Sequence, residues 1–266
     1  MKQIFVVAFA LFLFSGCAPQ SSPQPQQKCV SAQQLNLYGY DYLEKVAKLL
    51  REDKKNIESF EMFINVMRGT VDSYANMIKS SVYISNVVRF LPIPYAGEVS
   101  NTTKLISRTV LNLGGAASTL NRYKNTTNTF LVEFDKIDKI NIKATEIAKL
   151  ALYADTKLLG DAKNLEIALK EISASTTMMA ATTQSITDAL DTTSGYMNQA
   201  KGFVGMGQPS SSSDEKSKVV QNRNSINDRM IQLNQKIVLL EKSGESHRFN
   251  IAKAHIYADL AVELEK

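Results

Sequence analysis

From Leu43 onward the apolar residues of this 266-residue chain fall into alternating steps of three and four. The first series is Leu43, Val46, Leu50, Asp53, Ile57, Phe60, Ile64, Met67, Val71, Tyr74 and Ile78, and Asp53 is its one charged member. Spacing of this kind, sustained over five heptads, predicts a long helix that buries a narrow seam against other helices. A helix over 30–90 would run roughly 90 Å at 1.5 Å per residue, longer than a compact globule of this size could hold. The series resumes as Val99, Thr103, Ile106, Val110, Leu113, Ala117 and Leu120, changes phase near Asn125 to Thr129, and continues through Phe130, Phe134, Ile137, Asn141, Ala144, Ala148, Ala151, Asp155 and Leu158. Such a phase step locally unwinds or overwinds a coiled coil without ending the helix.

Punctuation divides this pattern. Pro92 and Pro94 flank Ile93 in the stretch 90–97, and two prolines so close end a helix and turn the chain. Leu91, Ile93 and Tyr95 make this turn apolar, and they mark it either as the buried cap of a bundle or as a contact tip for membrane or a partner. Charges at Arg89, Glu98, Lys104 and Arg108 interrupt the apolar flanks and favour the cap. No proline follows until Pro209. Two readings of that interval stay open: a hairpin at Leu159-Gly160-Asp161, giving helices over 96–159 and 161–204, or one helix from Ala96 to Val204, about 160 Å long. Gly160 alone is a weak breaker, worth about 1 kcal/mol. The segment 173–194 holds eleven Ser or Thr residues, with Thr176, Thr183 and Thr193 on the seam, so it should be the least stable part of its helix.

The stretch 205–214, rich in Gly and Ser and containing Pro209, reads as a flexible loop. After it comes the strictest seam, with Ile226, Met230, Leu233, Ile237, Leu240, Gly244, His247, Ile251, Ala254, Ala258 and Ala261 among its members, predicting a helix over 215–264. A histidine at such a position predicts a hydrogen-bonded interior group rather than a ligand. The fold these patterns predict is all-α, an elongated antiparallel bundle or coiled coil of three or four long helices over residues 30–266.

The amino terminus changes the picture. Lys2 precedes eleven apolar residues, Ile4 to Phe14, and Ser15-Gly16-Cys17 closes the run. That is the layout of a secretory signal, too short for a spanning helix of roughly 20 residues. Ending on Ser-Gly-Cys, it resembles the lipobox of bacterial lipoproteins, with Phe14 where Leu most often stands. The resemblance implies cleavage after Gly16, lipid on the sulfur of Cys17, and a cell-envelope location. Ala18, in place of a retaining Asp, implies the outer membrane rather than the inner. Residues 17–29 then read as the lipidated cysteine and a Pro/Gln/Ser tether, a composition that buries too little to fold.

The remaining composition mainly excludes. Lys and Arg number 31 against 26 Asp and Glu, a net charge of +5, or +4 once Lys2 leaves with the signal. No basic stripe stands out, which argues against nucleic acid. With Cys17 consumed, Cys29 has no partner within the chain and is a free thiol or forms an intermolecular bridge. There is no GxxxxGK[ST], GxGxxG, GxSxG, HExxH or CxxC motif, and no carboxylate pair sits in an apolar setting. The sequence therefore predicts no catalytic residue, metal, cofactor or small-molecule substrate. It predicts a non-enzymatic spacer, scaffold or adaptor that binds protein through its helix faces. An alternative is a membrane-active protein using the apolar hairpin 82–118, which faintly resembles the α-helical pore-forming toxins without matching any of their motifs.

Overall fold

The computed structural model describes residues 30–80, 93–204 and 212–265. Apart from the first of these, which belong with a separate unit ending at Ser31, they form a single unit from Ala32 onward. Helix α1 spans Ala32–Ser80 and α2 spans Ile93–Asp135. The next helical segment comprises α3 (Ala144–Tyr153), a π-helical turn (Ala154–Leu158) and α4 (Leu159–Val204) in series, and α5 spans Ser212–Leu264. No strand occurs among the described residues. At 49, 43 and 53 residues, helices α1, α2 and α5 run about 65–80 Å.

Cross-helix bonds give the topology. Along α1 and α5, Asn36 meets Glu265, Asp53 meets His247, and Ser59 meets Lys236, so the numbers move in opposite directions. Arg51 with Asp135 and Glu61 with Lys124 show the same for α1 and α2. Asn112 with Ser175 and Thr126 with Asp161 do so for α2 and α4, and Ser173 with Asn234 for α4 and α5. Each helix is thus antiparallel to both neighbours, the up-down-up-down arrangement of a four-helix bundle. The closest pairings are α1 with α5 and α2 with α4.

The heptad seam becomes the core. Leu43, Val46, Leu50 and Met67 are fully buried on α1, and Leu165, Leu169 and Ile172 are so on α4. From α5, Leu233, Ile251, Ala254 and Ala258 close the same cluster. Side chains three and four apart share a helix face, so the pattern alone selects the buried stripe. Aromatic rings fill the end near the start of α1, where Tyr40 stacks on Phe134 at 5.1 Å and Phe134 on Phe130 at 6.4 Å. Gly39 allows the closest helix approach there, because an added Cβ would stand 2.9 Å from Cγ2 of Ile147.

The structure corrects the sequence at three points. First, the chain reverses over 136–143, neither turning at Leu159-Gly160-Asp161 nor continuing as one helix from Ala96 to Val204. The turn lacks Gly and Pro and is built by Asp138: its carboxylate accepts the Ile140 N–H at 2.9 Å and the Asn141 side-chain amide at 3.0 Å. This is the local side-chain mimicry of a backbone turn that Asx residues provide. Ile137 and Asn141 therefore lie in a loop and not on a seam. Second, the helix passes through Gly160, where an added Cβ would meet nothing within 4 Å. The π turn just before it accommodates an extra residue and places Ala154 in the core with Asp155 outside. Third, Ile93 to Gly97, expected within the turn 90–97, begin α2. Pro94 is tolerated in a first turn, where its missing N–H would have no intrahelical partner. Likewise α5 starts at Ser212, inside the stretch read as loop. The end expected for the first helix near 90, the tether 17–29 and the rest of the 205–214 loop lie outside the described residues.

Candidate functional site

The positions singled out from the sequence lie almost wholly beyond what the structure describes. Gly16, Cys17, Cys29 and Leu91 are outside the described residues, and so are the side chains of Ile93 and Tyr95, whose backbone forms the first turn of α2. Part of the apolar hairpin 82–118 is described, and its core-facing residues are already committed. Ile106, Leu113 and Ala116 are buried in the bundle, while Leu111 stands 75% exposed.

Among the described residues, polar chemistry gathers inside the bundle where the charged member of the first seam meets the histidine of the last. His247, 2% exposed, approaches Asp53 with Nε2 at 3.4 Å from Oδ2. Ser243, one turn earlier on α5, donates its hydroxyl to that carboxylate oxygen, and its Oγ lies 3.1 Å from His247 Nε2. Asn56 donates to the other oxygen, Oδ1, at 3.3 Å. Since the Ser243 proton is directed at Asp53, the Oγ must accept from His247, which puts the imidazole proton on Nε2. Nδ1 is buried and finds no hydrogen-bond partner among the described residues.

Burial is the largest influence on Asp53 and raises its pKa, but the hydrogen bonds from His247, Ser243 and Asn56 outweigh it and hold the carboxyl below its ordinary value. The ion is kept because each lone pair it turns inward is met by a donor. Tyr123 of α2, also buried, has its phenol pushed well up by burial first and by the Asp53 charge second. Between them lies a small cavity of about 20 Å³, edged by Asp53, Asn56, Tyr123, Lys236 and Ser243. It has room for about one water.

A serine, a histidine and an aspartate in contact invite comparison with a hydrolytic triad, and the geometry is wrong for one. In a triad the carboxylate orients the imidazole through one ring nitrogen while the other takes the serine proton. Here both partners crowd Nε2, and the carboxylate already holds the hydroxyl proton that the imidazole would have to remove. The cluster ties helices together and does not activate Ser243. Seam spacing brought out Asp53 and His247, but Ser243, Asn56 and Tyr123 lie off the seams and gave no signal beyond Ser243 standing one helical turn before His247.

A second polar region follows the α4–α5 groove, an open trough of about 300 Å³ lined by Lys163, Glu166, Glu241, Gly244 and Arg248 among others. Glu166 bonds both Lys163 and Lys170 at 2.7 Å, and Lys170 also reaches Glu241. These bonds push the Lys170 ammonium up to about 12. Of the groups that line the trough, Lys163, Glu166 and Glu241 are thus already paired. Comparison with protein families, with curated proteins and with solved structures returns no match. Among the described residues, no group of three or more His, Cys, Asp and Glu could hold a metal ion, and no helix is long and apolar enough to cross a membrane.

Proposed function

We propose that the chain is a lipid-anchored envelope protein whose helical bundle acts as a non-catalytic spacer, scaffold or adaptor, binding protein through its helix faces. The observation that carries this reading is the Ser15-Gly16-Cys17 exit of an eleven-residue apolar run. It is followed by a segment too polar to fold and then by a bundle of long antiparallel helices. The up-down topology supports a spacer, because Ala32 and the 136–143 loop share one end while Ser80 and Ile93 lie at the other, about 70 Å away along α1. Burial of Ile106 and Leu113 weighs against the membrane-active alternative, because a hairpin that must insert 82–118 would have to break the core.

The test is Cys17→Ser in the producing cell. The unaltered protein should incorporate labelled palmitate and sediment with membranes; the variant should lose the label and appear in the soluble fraction. Retention of the unlipidated variant in membranes would sink the anchor reading. Leakage of vesicles on adding the unlipidated chain would restore the membrane-active one.

A further inference from the structure

The end of the bundle at which the chain enters is unlike its sides. Ile140, at the tip of the 136–143 loop, is 83% exposed, more than any other large apolar side chain among the described residues. Leu264, 51% exposed in the last turn of α5, and Tyr38, 44% exposed near the start of α1, belong to the same end. Asn36 holds these pieces together, donating to the Ile142 carbonyl at 3.4 Å and to the Glu265 carboxylate at 3.3 Å. The loop is therefore a fixed part of the bundle end, and Ile140 is presented outward by a turn that Asp138 stabilises.

The charge of this loop is one-sided. Lys136, Lys139 and Lys143 surround Ile140, and Asp138, already engaged by the turn, is the loop's one acid. The lysines pair with Glu133, Glu44 and Glu146, but every one of these side chains is 44–71% exposed. Exposed pairs of this sort are weak, so the ammonium groups can exchange partners at little cost. At the same end, on the α1–α5 side of the bundle, Tyr38 and Tyr42 pack on Tyr257 with ring centres 5.5 and 5.7 Å apart. Rings with an apolar body and a polar tip are the side chains enriched at the level of lipid headgroups.

We propose that this end of the bundle is a docking surface for an anionic lipid bilayer, with Ile140 entering the interface and Lys136, Lys139 and Lys143 meeting lipid phosphates. The proposal rests on the lipid-anchor reading above, which supplies its geometry. Fourteen residues separate Cys17 from Ala32, and a chain of that length reaches at most about 50 Å. An acyl group on Cys17 therefore holds the 136–143 end within about 50 Å of the bilayer, a bound that does not apply to the end about 70 Å away. Tethering at that range makes the contact effectively intramolecular, so a weak surface is enough to be occupied. A single apolar tip and a few cations, too little for a free protein to bind by, suit such a tethered contact.

The chain contains no tryptophan, which gives a direct test in the full lipidated protein. I140W would be reconstituted on phosphatidylcholine vesicles with and without phosphatidylglycerol, with bromine on the acyl chains as quencher. The emission should move to shorter wavelength and be quenched at least twofold. The effect should be smaller without phosphatidylglycerol and reduced by K139Q/K143Q. L111W, on a side chain 75% exposed and about 35 Å along α2, should emit as in water. L264W is a second reporter at the same end should I140W not fold. If the protein floats with vesicles and the end reporter is quenched no more than L111W, docking is overturned and the anchor stands. A chain that does not float overturns both.

Discussion

The two closest helix pairs, α1 with α5 and α2 with α4, both carry polar side chains in an apolar seam, and they satisfy them in opposite ways. In the first pair the bonds cross between helices: Asp53 of α1 is held by Ser243 and His247 of α5. In the second pair the deepest polar groups turn back on their own helix. Thr109 and Thr176, both fully buried, donate to the carbonyls of Leu105 and Ile172 one turn earlier, at 2.8 and 2.7 Å. Thr126 and Ser175 add bonds across this pair, to Asp161 and from Asn112, nearer its margin. A hydroxyl closed on its own helix costs little to bury but says nothing about where the partner helix sits. A carboxylate bonded across the seam is costly to bury and is satisfied at one register only. The centre of the first pair is registered by its crossed polar cluster, whereas the second is apolar at its centre and takes its crossed bonds, Thr126 with Asp161 and Asn112 with Ser175, nearer the margin.

Removing one side of the crossed cluster should have the largest effect. Asp53→Leu leaves Ser243 and His247 facing an apolar group, and a buried partner stripped in this way costs about 1–3 kcal/mol. For a unit of this size each kcal/mol lowers Tm by roughly 2–4 °C. The triple variant D53L/S243A/H247L should recover most of that loss, since matched apolar replacement of a buried polar set is often neutral or better. If the single variant melts like the unaltered protein, Asp53 does not specify the pairing. If the triple variant is as stable but populates more than one conformer by NMR, the role in register is sharpened.

An intermediate effect is expected on acidification. The Asp53 carboxyl lies below its ordinary value in the folded chain, so its contribution is fully present above the unfolded-chain value near 4 and is lost as pH falls through the folded one. Glu166, which burial alone would raise, is held low by Lys163 and Lys170 and adds to the same acid slope. Chemical denaturation between pH 6 and 2 should therefore show less loss of stability in Asp53→Asn than in the unaltered protein. Equal slopes would remove Asp53 from the acid response.

The smallest change should come from the second pair. In Thr176→Val and Thr109→Val a methyl replaces a hydroxyl whose acceptor carbonyl keeps its helical N–H, so stability should shift by less than about 1 kcal/mol, towards greater stability. A loss of several kcal/mol would mean that these hydroxyls do more than satisfy themselves. The expectation that 173–194 is the weak part of its helix can be followed over the same residues by hydrogen exchange. There the α4 amides should exchange faster than those of α1 around Leu43 to Leu50.

Periodicity alone determined the helical class and the buried stripes. The α1 seam from Leu43 to Val71 is the core, with Asp53 at its edge, and His247 is interior and hydrogen-bonded as its position on the α5 seam required. That succeeds because a helix face is a local property, set by steps of three and four whatever the partner is. Where the chain reverses was not legible, because the turn at 136–143 uses Asp138 where Gly or Pro would have advertised it, and apolar spacing runs on through Ile137 and Ala144 on either side. Only the tertiary structure could decide that Asp53 meets His247, since they stand 194 positions apart in the chain. It alone brings Asn36, Ile142 and Glu265 to one end, because antiparallel packing joins positions that no local pattern relates.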